Sequence, residues 1–279
     1  SADRLRLSFT STLGVIQRAR GEHDAAEALL QQAVVLSERI APDSIQLARD
    51  LNNLSLIQWD RMDMAKAQQT LDRALDIKRR RGASAIDLAA TLGNLALIAQ
   101  PLGRTDDAER YINEALAIFR AGEPSLMLAN TLTTVGRVAE SRGKNAAAYA
   151  AFDEALALYR QLAPGGSLEA WAHHFKAGIL ADGGRLDEAL VEATTAVRLQ
   201  RSTSPGGRDL SFGLLRLAEI QRDLGQLEAA AAAFDETIAL RRKQSPDSQS
   251  LADALYGAGT VASARGQTDT ARTHYCEAV

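Results

Sequence analysis

The residues of this chain best suited to nucleophilic or metal chemistry are four histidines and a single cysteine, Cys276. Their spacing serves neither purpose. His173 and His174 are neighbours, and helical neighbours point about 100° apart, whereas a chelating pair needs an i, i+4 spacing. His274 and Cys276 stand two apart and face different directions on a helix. Acidic pairs such as Asp106-Asp107 and Asp187-Glu188 sit where solvated charge favours the first turn of a helix. Gly165-Gly166 and Gly206-Gly207 lie between helical segments, and a glycine pair by itself does not cradle a phosphate. The chain has no zinc-protease motif, P-loop, dinucleotide fingerprint or nucleophile elbow. The expectation is a protein that is not an enzyme, has no metal or cofactor, and works through its surface.

Bulk properties narrow the partners. A formal net charge of −3 leaves no basic field for nucleic acid or anionic lipid. The 46% apolar content is largely alanine at helical spacing, and no run approaches the roughly 20 residues of a membrane span. One cysteine excludes an internal disulfide framework and fits a reducing compartment, so the expected location is cytoplasmic. Opening on Ser1 rather than methionine, the chain reads as a piece of something longer. Its Ala- and Arg-rich composition fits a bacterial source.

The surface residues must be positioned by a repeating framework. Gly21, Met62, Gly103, Gly143, Gly184, Gly225 and Gly266 are spaced 41, 41, 40, 41, 41 and 41 residues apart. Five residues after each stands an alanine: Ala26, Ala67, Ala108, Ala148, Ala189, Ala230 and Ala271. Seven further on stands another small residue, Ala33, Ala74, Ala115, Ala155, Ala196, Thr237 or Ala278. Self-similarity at this period predicts a solenoid whose units bury their apolar faces against neighbours.

Each period holds two amphipathic helices. In the second, apolar residues run Leu51, Leu54, Ile57, break at Arg61-Met62-Asp63, and resume at Ala67, Leu71, Ala74 and Ile77. Spacings of three and four mark helix, and strand-like alternation is absent. Pro42-Asp43-Ser44, Pro124-Ser125, Pro164-Gly165-Gly166-Ser167, Ser204-Pro205-Gly206-Gly207 and Pro246-Asp247-Ser248 separate the repeats. Proline stops the preceding helix, and Asp or Ser can cap the next.

This pattern of small, large and small residues resembles the tetratricopeptide repeat (TPR). Its longer period, with Leu51-Asn52-Asn53-Leu54, Leu92-Gly93-Asn94-Leu95 and the Pro-Asp turns, is similar to the kinesin light chain group. The resemblance runs from about Leu7 to Val279. It implies an all-α fold, a right-handed α-solenoid superhelix of about seven antiparallel helix pairs. The expectation is a single array over 1–279, with repeats near 5–43, 47–84, 88–124, 128–164, 168–205, 210–246 and 251–279.

The resemblance also implies that the first helices line a concave groove that receives a peptide or protein segment. By register the groove residues are Arg49, Asn52 and Asn53, then Asn94, then Asn130, Thr133 and Arg137. Trp171 and His174, Phe212 and Arg216, and Tyr256 continue the set. The asparagines offer donor and acceptor to a peptide backbone, or else bond to neighbouring helices. Trp171, Phe175, Phe212 and Tyr256 are anchors for a partner side chain, or ordinary packing. Ser11, Val15, Ala90 and Asn94 do not supply the family's two-carboxylate clamp. The first reading is a scaffold binding a peptide or protein partner. The second is a regulatory or oligomerisation arm of a larger effector, of the bacterial protease or signalling ATPase kind.

Two irregularities and one end complete the reading. His173 and Lys176 take columns that are otherwise Leu, Val, Ala or Thr, so this helix is either partly solvated or bonded to something. Pro101 shortens its helix. The final repeat has no covering helix, which places Val261, Ala271, Tyr275 and Ala278 at an apolar end and raises self-association.

Overall fold

The computed structural model describes residues 2–244 and 248–279. Pro246 and Asp247 of the sixth inter-repeat turn therefore lie outside the described residues. Fourteen helices and no strand are found among those described. The first halves of the pairs are α1 (Ala2–Ala19), α3 (Ile45–Asp60), α5 (Ala85–Ala99), α7 (Leu126–Ser141), α9 (Ser167–Asp182), α11 (Arg208–Asp223) and α13 (Gln249–Ala264). The second halves are α2 (His23–Ile40), α4 (Met64–Arg80), α6 (Thr105–Arg120), α8 (Asn145–Leu162), α10 (Leu186–Thr203), α12 (Leu227–Gln244) and α14 (Thr268–Glu277).

The turn inside each pair explains the glycine column. Gly21, Gly103, Gly143, Gly184, Gly225 and Gly266 all have φ between 69° and 80°, the left-handed region that ends a helix without steric cost. Met62 takes the same conformation at 63°. The alanine column is equally literal. Ala26, Ala67, Ala108, Ala148, Ala189 and Ala230 are 0% exposed, since each helix meets its partner there at a distance only a methyl fits.

Serine starts several first helices. Ser44, Ser84, Ser125 and Ser248 accept from the backbone N–H three residues on. Helix α9 departs from this pattern: Gly166 is its N-cap, and the Glu169 carboxylate reaches back to the Gly165 N–H at 2.6 Å. Helix α5 ends at Ala99, two residues before Pro101, as the missing N–H requires.

The helices fall into two compact units, 1–143 and 144–279. The first contains three pairs and α7; the second contains α8 and three pairs. Within each, a second helix packs against the first helix of the next pair, as α2 does on α3 and α10 on α11. One shared core joins Ala26, Leu30 and Val34 to Leu54 and Ile57, and another joins Ala189, Ala193 and Val197 to Leu217 and Ile220. First helices also touch across pairs, α1 to α3, α5 to α7, α9 to α11 and α11 to α13. They form the inner layer of each stack.

The last pair alters one expectation. Val261 and Ala271 are 0% and 5% exposed, held inside the pair rather than at an open end, while Tyr275 and Ala278 are half-buried. Tyr256 (61%) and Val279 stay exposed at that end, and a further exposed apolar stripe lies on α1, at Leu5 (64%), Phe9 (71%), Leu13 (46%) and Ile16 (43%).

Candidate functional site

In the first unit several of the predicted groove residues are bonded to neighbouring helices or to their own. Arg49, exposed on α3, pairs with Asp87 on α5 at 2.8 Å. That bond raises the Arg49 pKa and lowers that of Asp87. The Asn52 Oδ1 accepts from Asn94 Nδ2 at 3.2 Å and from Thr91 Oγ1 at 3.3 Å. These amides bridge successive first helices, which is the second of the two roles the sequence left open. Asn53 stays half-exposed beside them. On α7, Thr133 and Thr134 donate to carbonyls of their own helix, and Asn130 is exposed. Burial pulls the Arg137 guanidinium below its ordinary pKa, opposed by Glu140.

A cavity of about 440 Å³ opens in this unit among Arg4, Leu7, Ser11, Ser37, Ile40 and Gln46. Beside it Asp50, 0% exposed, accepts from Ser11 at 2.8 Å, from Ser37, and from Gln46 at 3.2 Å. The acid is spent on the fold.

The second unit holds a ladder of rings. Phe152 lies 6.1 Å from Phe175, Phe175 5.5 Å from Trp171, and Trp171 5.9 Å from Phe212. His174 meets Trp171 and Phe175 edge-on at 5.2 and 5.4 Å. Phe152 is buried; Trp171, His174, Phe175 and Phe212 are half-exposed. The Trp171 indole N–H donates to Asp209 at 3.2 Å and so fixes the ring across α9 and α11. Arg216 continues the surface: its guanidinium lies 3.6 Å from where a Cβ on Gly178 would stand, and it pairs with Glu219 at 3.3 Å. Burial raises the Glu219 pKa, against the pull of Arg216 and Arg222. Tyr256, 61% exposed, packs on Tyr275 at 5.5 Å, apart from the ladder.

The irregular fifth repeat is bonded, not solvated. His173 and Lys176 are 4% and 7% exposed. His173 Nδ1 bonds Glu192, and Nε2 stands 3.9 Å from Glu169. Lys176 pairs with Asp153 at 2.5 Å and Glu192 at 2.8 Å, and lies 4.8 Å over the Tyr149 ring. One cluster thus ties α8, α9 and α10. Burial would raise Glu192 and depress Lys176, yet the bonds win in both: Glu192 is held below and Lys176 above its ordinary pKa.

Sequence reasoning did not reach Asp87, Thr91 or Asp209, nor Arg241, whose guanidinium lies 4.0 Å from the centre of the Phe212 ring. The first three stand 38 or 39 residues from their partners, one repeat less a few positions, and that offset was the signal available. Among the described residues no group of three or more His, Cys, Asp or Glu is arranged to hold a metal, and no helix is long and apolar enough to cross a membrane.

A tetratricopeptide-repeat family profile matches residues 6–80, 87–161 and 209–279, and a second matches 170–193. The chain belongs to the tetratricopeptide-repeat family. The TPR array is similar in fold to BtubC (BKLC) of P. vanneervenii, at TM-score 0.62 and 19% identity over 87% of this chain and 92% of that one. It is also similar to a Rap protein solved with Competence and Sporulation Factor, at TM-score 0.73 and 14% identity over 98% and 75% of the two chains. Aspartyl phosphate phosphatase F from Bacillus subtilis gives TM-score 0.70 at 18% identity over 99% and 70%. No curated protein sequence matches significantly. TPR arrays of this kind are protein-interaction scaffolds.

Proposed function

We propose that this TPR array binds a peptide segment on the inner layer of its second unit, without catalysing a reaction. The half-exposed ladder of Trp171, His174, Phe175 and Phe212 carries the reading. Aromatic rings offer much apolar area at little entropic cost, and here Asp209 already fixes the indole before any ligand arrives. The inner face of the first unit contributes less, because Arg49, Asn52 and Asn94 are engaged with each other or with neighbouring helices. A fold shared with a Rap protein solved with Competence and Sporulation Factor supports a ligand-receiving array and, as a second reading, a regulatory arm.

The test is selection of twelve-residue peptides from a random library on the immobilised chain, with affinities then measured by fluorescence polarisation. Trp171→Ala should weaken the selected peptides at least tenfold. Asn52→Ala should change affinity by less than about threefold, since its amide serves the fold. Peptides that bind equally well to Trp171→Ala would place the site elsewhere and end this reading.

A further inference from the structure

Arg241, in the last turn of α12, is 1% exposed, and its Nε and Nη2 have no hydrogen-bond partner among the described residues. A buried cation without a counter-charge is costly. Burial, reinforced by nearby Arg208, pulls its pKa below the ordinary value. Packing does not call for arginine here. The same register column of the earlier second helices carries Ser37, Lys78, Phe119, Tyr159 and Gln200, all buried. Phe119 and Tyr159 fill it with rings. Ser37 bonds Asp50, and Lys78 donates to Thr91 and to the Asp87 carbonyl. Gln200 and Arg241, on the two helices that flank α11, instead leave buried polar atoms unpaired.

The guanidinium packs on Phe212, in the N-terminal half of α11. It lies 4.0 Å from the centre of the Phe212 ring, and the Arg208 guanidinium lies 5.8 Å from the same ring. Gln244 anchors the end of α12 there by donating to the Gly206 carbonyl at 2.9 Å. The start of α11 also has no side-chain cap. Serines cap α3, α5, α7 and α13, whereas Gly166 before α9 and Gly207 before α11 leave both starts without a side-chain cap; on α9 the Glu169 carboxylate stands nearby, bonded to the Gly165 N–H just ahead of the helix. The acid of the first turn of α11, Asp209, is turned toward the Trp171 indole. Uncapped N–H groups at a helix start attract an anion.

We infer that the first turn of α11, Arg208 and Arg241 form a binding site for a carboxylate of the peptide held on the aromatic ladder. This deepens the proposed function and rests on it for delivery of the ligand. Phe212 is the half-exposed cover: when its ring turns aside, the Nε–H and Nη2–H edge of Arg241 meets both oxygens of a planar carboxylate. Arg208 adds a second positive charge, and the free amides of α11 complete the site. The Asp209 carboxylate, in the same turn, disfavours a doubly charged phosphate.

Titration of the full chain with sodium acetate, sodium phosphate or sodium chloride at constant ionic strength tests the site, read by NMR at arginine Nε–H and the amides of 208–211. Acetate should produce a saturable shift at Arg241 and at the α11 amides, and chloride none. Arg241→Met should abolish it, and Arg208→Gln, an exposed change that leaves the core untouched, should weaken it at least threefold. Phe212→Ala should tighten it. Library-selected peptides supply the second arm: replacing their Asp and Glu by Asn and Gln, or amidating their C-terminus, shows which carboxylate is read. The decisive replacement should cost wild type at least tenfold and the Arg241→Met chain nothing further. Shifts that are linear in salt, or a preference for phosphate, would overturn the inference. Peptides that need Trp171 but ignore both Arg241 and their own acids would overturn it while leaving the ladder reading intact. Acetate binding in a chain that takes no peptide at Trp171 would remove the ladder reading and keep the carboxylate site.

Discussion

Met62 occupies, at φ 63°, the turn that glycine fills in the other six pairs. A residue with a Cβ held in the left-handed region costs about 1–2 kcal/mol, offset in part by the lower unfolded-chain entropy of a non-glycine residue. Met62→Gly is therefore expected to stabilise the protein by about 1 kcal/mol, since the side chain is 73% exposed and packs little. Urea unfolding, read as a raised midpoint at unchanged slope, checks this. The buried cluster around Glu192 makes a pH prediction. Its carboxyl is held below the unfolded value by His173 and Lys176 despite burial, so the unfolded state takes up more protons. Its contribution is present above the ordinary glutamate range near pH 4.3 and is lost as pH falls through the depressed folded value. Lys176 is raised, so its contribution is complete below its unfolded pKa and is lost only in strong alkali. The difference in melting temperature between wild type and Glu192→Gln should shrink steadily as pH drops from 5 to 3, in about that window. A constant difference would deny the cluster this role.

At the scale of the helix, the positions that end and begin elements were readable from composition. Pro101 predicted the early end of α5, and the serines of the inter-repeat turns became caps wherever they immediately preceded a helix. Ser125→Ala is expected to cost about 1 kcal/mol through loss of its bond to the Leu128 N–H, measured by thermal melting. Ser167 illustrates what composition cannot rank. It follows two glycines and is the first residue of α9, with Gly166 at the N-cap and the Glu169 carboxylate bonded to the Gly165 N–H. His173 and Lys176 are a similar case. Their misfit to the apolar columns was plain in the sequence, but the acids that satisfy them come from α8 and α10.

For the array as a whole, stability is a sum of neighbour terms, so damage should remain local. Ala67, 0% exposed, sits at the point of closest approach within the second pair. Ala67→Leu is expected to cost about 1–3 kcal/mol by overpacking. Hydrogen exchange should quicken through α3 to α6 and stay unchanged in α10 to α13. Equal quickening in both units would mean a single cooperative fold. The 41-residue period, the helix pairs and the buried alanine columns were all determined by the sequence, because small residues at fixed spacing leave helices one way to pack. The period also placed Trp171, Phe212 and Asn94 on one kind of surface. Which of them are free to meet a partner was decided only by the tertiary structure. Asn94 is bound to Asn52 and the Trp171 indole is fixed by Asp209, through contacts made 42 and 38 residues away. That Nε and Nη2 of Arg241 find no partner among the described residues was likewise invisible, since it depends on what α11 offers across the interface. A repeat dictates where each side chain stands, whereas its remaining hydrogen-bonding capacity depends on the neighbouring repeat, whose residues at the facing positions differ.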